Sequence, residues 1–331
     1  MSRPEAEKKK PSGEASDPSL LNRLAWSCRW TDRERSVSFA EAARDWPYKT
    51  GSPRARKNRG RACLTLAWQA KFRGEFDTSL KFALEAEQLL TEKNFPTDRA
   101  HTYATLSVLH SSKGRIDLAK HALDRGMLLA DIERDRSAYI ELLTADAGVL
   151  MYRGDKGRAG LTLGRAEQLA VEAEQAMVQV HIARWLLSDG CPEKAVERAA
   201  RGVNLAEEHK CRVLEPYAHE VMGQAKYRLG HFKQAEAFFT TGLEIAQADG
   251  DKRAECHLML GMGLMERARK ETDQALRHFR QGAKMASRLG YVPWQIIFAR
   301  ECAAEYERRG DMKAALNEHR VAWALTDKRR Y

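Results

Sequence analysis

The nearest approach to catalytic chemistry in this chain is His219-Glu220, because two histidines four residues apart on one helix face, with a glutamate beside the first, hold a hydrolytic zinc. The second histidine is missing, and Gly223 stands in its place. No GxSxG nucleophile elbow, no phosphate-cradling GxxxxGKS/T loop and no CxxC pair occurs in the 331 residues. Cys28, Cys63, Cys191, Cys211, Cys256 and Cys302 are scattered without metal-ligand spacing and read as small core residues, with Cys63, Cys256 and Cys302 on apolar-periodic stretches. The ten histidines are dispersed, as polar helices collect them without functional need. Met222, Met259, Met262 and Met265 could form an adaptable binding surface, but their helical spacing fits core packing better. The chain is expected to be no enzyme, and to use no cofactor and no metal.

A net charge of +10 raises the question of nucleic acid. Residues 1–61 hold 15 Lys and Arg against 8 Asp and Glu, while the other 270 hold 41 against 38, so seven of the ten excess charges are N-terminal. The near-neutral remainder disfavours a phosphate-tracking groove along the chain. The local exception is YKTGSPRARKNRGR after Pro47, with Lys49, Arg54, Arg56, Lys57, Arg59 and Arg61 among Gly51, Ser52, Pro53 and Gly60. It reads as the longest loop, and as the one segment that could touch phosphate. Only Tyr48 offers a stacking ring there, so a solvated connection is the plainer reading. No run approaches the ~18 apolar residues of a membrane span. The start, MSRPEAEKKKPSGEASDPS, lacks the apolar core of a secretory signal, and a soluble cytoplasmic protein without membrane contact is expected.

Helices must carry whatever function remains. Leu214 to Asp249 reads as two amphipathic helices broken at Gly230, with Gly223 seven residues before the break, Ala235 five after and Gly242 twelve after, flanked by Tyr227, Phe232 and Phe238. Small residues at helical spacing let antiparallel helices approach closely. The template recurs with turns at Thr31, Gly74, Gly114, Gly154, Gly190, Gly230, Lys270 and Gly310, spaced by 43, 40, 40, 36, 40, 40 and 40 residues. Five after each turn stands Ser36, Ser79, Ala119, Ala159, Ala195, Ala235, Ala275 or Ala315, and twelve after stands Ala43, Ala86, Gly126, Ala166, Gly202, Gly242, Gly282 or Ala322. Seven before, only the first repeat breaks the rule, with Leu24. A fixed period of this size marks a solenoid, which grows linearly and needs no second core.

In chain order, residues 1–17, with Lys8, Lys9, Lys10, Pro4, Pro11 and Gly13, read as a disordered tail. Residues 18–331 read as one superhelical domain. Its first helix carries LLNRLAWSCRW, and Asp32 is placed to cap a second helix running to Trp46. Pro192 and Pro216 sit where helices should begin, at positions where a missing N–H costs nothing.

The phrases GEFDTSLKFALEA, GRIDLAKHALDRG, GCPEKAVERAARG, GHFKQAEAFFTTG and GDMKAALNEHRVA resemble the tetratricopeptide repeat (TPR) superfamily, through the glycine turn, the aromatic two residues on at Phe76 and Phe232, and the recurring small residues. The resemblance covers nearly all of residues 18–327 and implies an all-α, right-handed α-solenoid of about eight helix-turn-helix repeats. The period departs from the usual 34 residues, and the longer unit suits helices about one turn longer. In this it is similar to bacterial signalling-associated TPR arrays.

The resemblance implies that first helices line a concave face that takes an extended peptide or partner helix. The residues expected to point inward are His181, Arg184, Tyr217, Glu220, Gln224, Tyr227, Arg228, Arg267, Arg300, Glu301 and Arg308. Arginine and tyrosine are favoured interface anchors, although a solvated face carrying ordinary charge reads equally well. The basic and asparagine pairs of chaperone-binding TPR domains are not reproduced. The function expected is a non-enzymatic scaffold or sensor for a protein segment in bacterial signalling. The alternatives are a regulatory partner of a nucleotide cyclase or diguanylate cyclase system, and nucleic-acid binding through residues 49–61. At the end of the array, Met312 to Thr326 lacks a capping helix, which points to a homodimer or partner contact through Val321, Trp323 or Leu325.

Overall fold

The computed structural model describes residues 17–48 and 52–327; of the disordered tail expected over residues 1–17, residues 1–16 lie outside them. Eight helix pairs follow one another: α1 (Pro18–Ser27) and α2 (Arg33–Arg44), α3 (Pro53–Arg73) and α4 (Phe76–Leu89), α5 (Pro96–Ser112) and α6 (Ile116–Leu129), α7 (Arg136–Tyr152) and α8 (Lys156–Leu169). The series continues with α9 (Glu172–Ser188) and α10 (Pro192–Glu208), α11 (Glu215–Arg228) and α12 (Phe232–Ala248), α13 (Lys252–Ala268) and α14 (Thr272–Leu289), α15 (Val292–Arg308) and α16 (Met312–Asp327). Each helix packs on the next, and successive odd-numbered helices also touch, which makes an all-α solenoid. Among the described residues no helix is long and apolar enough to cross a membrane.

Within each pair the turn has a backbone reason. Gly74, Gly114, Gly154, Gly190, Gly230 and Gly310 hold φ between +74° and +81°, the left-handed region that glycine enters cheaply. Lys270 holds the same place at φ +64° despite its side chain. The first turn closes differently: the Cys28 carbonyl accepts from the amides of Thr31 and Asp32, and Asp32 caps α2 as expected. A second left-handed series, Lys210, Gly250 and Gly290, follows α10, α12 and α14 and escaped the sequence template.

The small residues seat aromatic rings. A Cβ at Gly223 would lie 2.5 Å from Phe239 Cε1, and one at Gly263 or Gly282 would run into the ring of Phe279 or Phe298. All three phenylalanines are fully buried. The seam of the template repeat is therefore filled by Phe239, while Phe232 lies largely exposed against Tyr227. Cys63, Cys256 and Cys302 are buried thiols, pushed up to about 12 by burial.

Two boundaries differ from the sequence reading. Asp17 is no part of a tail, because its carboxylate caps α1 at the Ser19 amide and pairs with Arg54. The basic segment is not a long loop: Ser52 caps the Ala55 amide and Pro53 opens α3, so Arg54, Arg56, Lys57, Arg59 and Arg61 are helical. Lys49 lies outside the described residues. Several of these cations are used internally, with Arg61 on Asp98, Arg59 over Tyr48 and Lys57 over Phe95. That arrangement takes away the flexible basic loop on which the alternative of a phosphate contact rested.

Candidate functional site

The array curls far enough for its second repeat to meet its seventh, with α3 against α13. The Tyr217 hydroxyl on α11 donates to the Asp251 carboxylate at 3.1 Å and lies 3.3 Å from the Phe72 carbonyl at the end of α3. Arg33 on α2 donates to the Asp249 carbonyl and pairs with Asp251 at 3.6 Å. The rings of Phe76 and Tyr291 meet edge-on at 5.1 Å. The concave face is thus a nearly closed interior, lined by odd-numbered helices.

Within it runs a cleft of about 660 Å3, including the solvent at its mouth. Trp68, Lys71 and Phe72 come from α3, Val108 from α5, Glu141 and Thr144 from α7, His181 and Arg184 from α9, Tyr217 from α11 and Arg253 from α13. Trp30, Trp68 and Phe72 form one aromatic cluster on this side, with Trp30 and Trp68 edge-on at 4.6 Å.

Carboxylates and cations are interleaved around the cleft. Glu141 lies 3.0 Å from His101 Nδ1, accepts from the Trp68 indole at 3.3 Å and sits 3.9 Å from Arg29; His101 Nε2 lies 3.1 Å from Asp135. Burial opposes charge on His101, but Glu141 and Asp135 outweigh it and hold the imidazole up at about 9. Burial likewise opposes the Glu141 charge, yet His101, Arg29 and Lys71 bring that carboxyl to about 2. Glu220 pairs with Arg184 at 2.6 Å and lies 3.9 Å from His257, and these two overcome burial to hold it at about 2. Burial depresses His181 to about 3 and His257 to about 4, so both are neutral.

The inward-pointing set expected from the sequence divides. His181, Arg184, Tyr217 and Glu220 meet at or beside the cleft, with Gln224 bonded to Glu220. Tyr227 instead packs on Phe232 at its own turn, and Arg228 and Arg300 are exposed to solvent. Arg267 ties α13 to α15 through Glu301, at 2.6 Å, and Glu305, and the exposed Arg308 also pairs with Glu305. The reason is curvature: the cleft gathers the end of α3, the starts of α11 and α13 and inner-face residues of α7 and α9, and the remaining arginines lie away from that meeting point.

Sequence reasoning missed Trp68, Lys71, His101, Glu141, Asp251 and Arg253. A signal did exist for Lys71, a cation inside the apolar stretch CLTLAWQAKF. Nothing in the sequence singles out Arg253, whose place depends on α13 returning to α3. At the far end, Val321 and Trp323 are 49% and 71% exposed, whereas Leu325 turns into the last repeat beside Ile296 and Ala299. Of the three, Leu325 belongs to the array's own seam.

No protein-family model and no curated protein matches this chain. Solved structures share its fold. A Rap protein complexed with competence and sporulation factor is 11% identical over 95% of this chain and 98% of its own, with a TM-score of 0.67. The Rap conjugation gene regulator of plasmid pLS20, in complex with a Phr peptide, is 12% identical over 95% of each chain, with a TM-score of 0.66. The apo form of the quorum sensor NprR from B. thuringiensis is 13% identical over 93% of this chain and 86% of that one, with a TM-score of 0.60. At these identities the likeness is one of fold, an all-α solenoid of paired helices.

Proposed function

We propose that this chain is a non-enzymatic bacterial regulator that takes a peptide or extended protein segment into the cleft on its concave face. The observation that carries the reading is the cleft itself, where the aromatic faces of Trp68, Phe72 and Tyr217 stand among buried and half-buried polar groups drawn from α3, α7, α9 and α13. Apolar walls with a few fixed polar groups are what a small concave ligand site requires. Two structures of like fold hold a signalling factor or peptide, which supports the same class of ligand here. Residues 18–331 then act as one unit, because the repeats that close the cleft are the second and the seventh. No feature of the cleft singles out a nucleotide cyclase or diguanylate cyclase as the output.

The test is selection of random peptides against the wild type, followed by binding to Val108→Trp, which plugs the cleft from α5. Selected peptides should bind the wild type and lose binding to a variant with an unchanged melting curve. Peptides that bind both proteins equally would overturn the reading.

A second reading concerns α16, on the evidence of its exposed Met312, Leu316, Val321 and Trp323. Each earlier even-numbered helix is covered by the odd-numbered helix that follows, and α16 has no such cover among the described residues. A second copy offers the same face in return, so a two-fold homodimer through Val321 and Trp323 satisfies it. Sedimentation at tens of micromolar should give a dimer for the wild type and a monomer for Trp323→Glu. A monomeric wild type would remove the idea.

A further inference from the structure

The charges around the cleft do not balance. Glu141 has His101 and Arg29, Glu220 has Arg184, and Asp251 has Arg33, so each of these carboxylates holds a cation within ion-pair distance. Two cations of the cleft wall are left over. Among the described residues neither Lys71 nor Arg253 forms an ion pair with any carboxylate, although Lys71 is only 7% exposed.

Their other contacts compensate only in part. The Lys71 ammonium lies 4.9 Å from the centre of the Phe72 ring and 5.2 Å from that of Trp68, which attracts the charge but accepts none of its three N–H donors in line. Arg253 is stacked between Phe72 and Tyr217, at 5.9 and 5.4 Å, and is hydrogen-bonded to Tyr291. Its Nε is buried without a hydrogen-bond partner. Burial brings Lys71 down to about 8, which still leaves it protonated at neutral pH. Buried charges are ordinarily paired, so the buried Lys71 without an ion-pair partner, beside the half-buried Arg253 on the same cleft wall, marks a place kept for an anion.

We infer that Lys71 and Arg253 form an anion subsite of the cleft, and that the ligand it accepts carries a carboxylate. The inference rests on the ligand-binding reading above and deepens it by naming the ligand's charge. A carboxylate fits better than a phosphate because Glu141 borders the same cleft and repels a second negative charge. A planar monoanion can take the Lys71 ammonium on one oxygen and Arg253 on the other. The aromatic floor of Trp68 and Phe72 then accepts the apolar part of the ligand beside its charged end.

Two measurements separate this inference from the reading beneath it. In the first, the Lys71 ammonium is titrated by lysine 13Cε NMR in chloride, propionate and inorganic phosphate at equal ionic strength. Propionate should raise the midpoint by about one unit or more, and Arg253→Met should abolish the rise. Identical midpoints in chloride and propionate, or a larger rise in phosphate, would overturn the assignment. In the second, peptides selected on the wild type are compared with their C-terminally amidated forms and with forms in which Asp and Glu become Asn and Gln. Loss of affinity by about tenfold or more in one of the two sets identifies the carboxylate as terminal or side-chain. Peptides that need an open cleft but bind equally well without either carboxylate would refute the subsite and leave the ligand-binding reading intact. A propionate shift in a protein that selects no peptide would do the reverse.

Lys71→Met adds a control for a purely structural role. A cation that only braces the fold loses stability when removed, whereas an unpaired one held for a ligand does not. The variant should melt at or above the wild-type temperature while losing the propionate response. A clear fall in melting temperature would count against the subsite.

Discussion

His101 offers the sharpest test of the buried charge network, because its proton belongs to the folded state alone. Folded His101 keeps its proton up to about 9 against an ordinary value of 6.5, so between those values the folded chain binds more protons than the unfolded one. The stability it contributes is complete below pH 6.5 and is lost as pH rises toward 9. Lys71, depressed to about 8, acts in the opposite sense above that pH, which leaves pH 6.5 to 8 as the cleanest window. The depressed His181 and His257 act only below 6.5, where acid protonates them in the unfolded chain first. At about 1.4 kcal/mol per pH unit, the window from 6.5 to 8 removes about 2 kcal/mol. For a chain of this size that is a fall in melting temperature of about 3 °C. The assay is a calorimetric melt at closely spaced pH values for the wild type and for His101→Gln, whose amide reaches the same carboxylates but does not titrate. The variant should be less stable throughout and flat across the window. A wild type without the fall, or a variant that keeps it, would refute the claim that Glu141 and Asp135 hold the proton.

Gly223→Ala should lose about 1–2 kcal/mol in a melt, because its methyl would press on the Phe239 ring, and overpacking exceeds the gain in helix propensity. Gly148→Ala, where a Cβ meets nothing within 4 Å, should instead gain about 0.5–1 kcal/mol; equal effects at the two sites would show that close packing at Gly223 is not at work. Lys270→Gly should raise stability by up to about 1 kcal/mol, since its left-handed φ of +64° strains any side chain, and a loss would mean that Lys270 has a role beyond the turn.

Much of this architecture was written in the chain as a period. Seven of the eight turns follow the left-handed rule, and the small residues five and twelve positions later are buried, because each answers to a neighbour in its own repeat or the next one. The basic segment was misread because the order Gly51-Ser52-Pro53 looks like a loop, although Ser52 and Pro53 are equally the start of a helix. The residues of the site were legible only in part. Arg184, Tyr217 and Glu220 could be placed on the inner face from their register, since that depends on one helix at a time. That Lys71 and Arg253 share a space, while Arg300 and Arg308 do not, follows from the small rotation added at each repeat and summed across five of them. No local pattern records that sum. The sequence determines the unit and its inner face, and only the closing of the superhelix decides which inner residues meet.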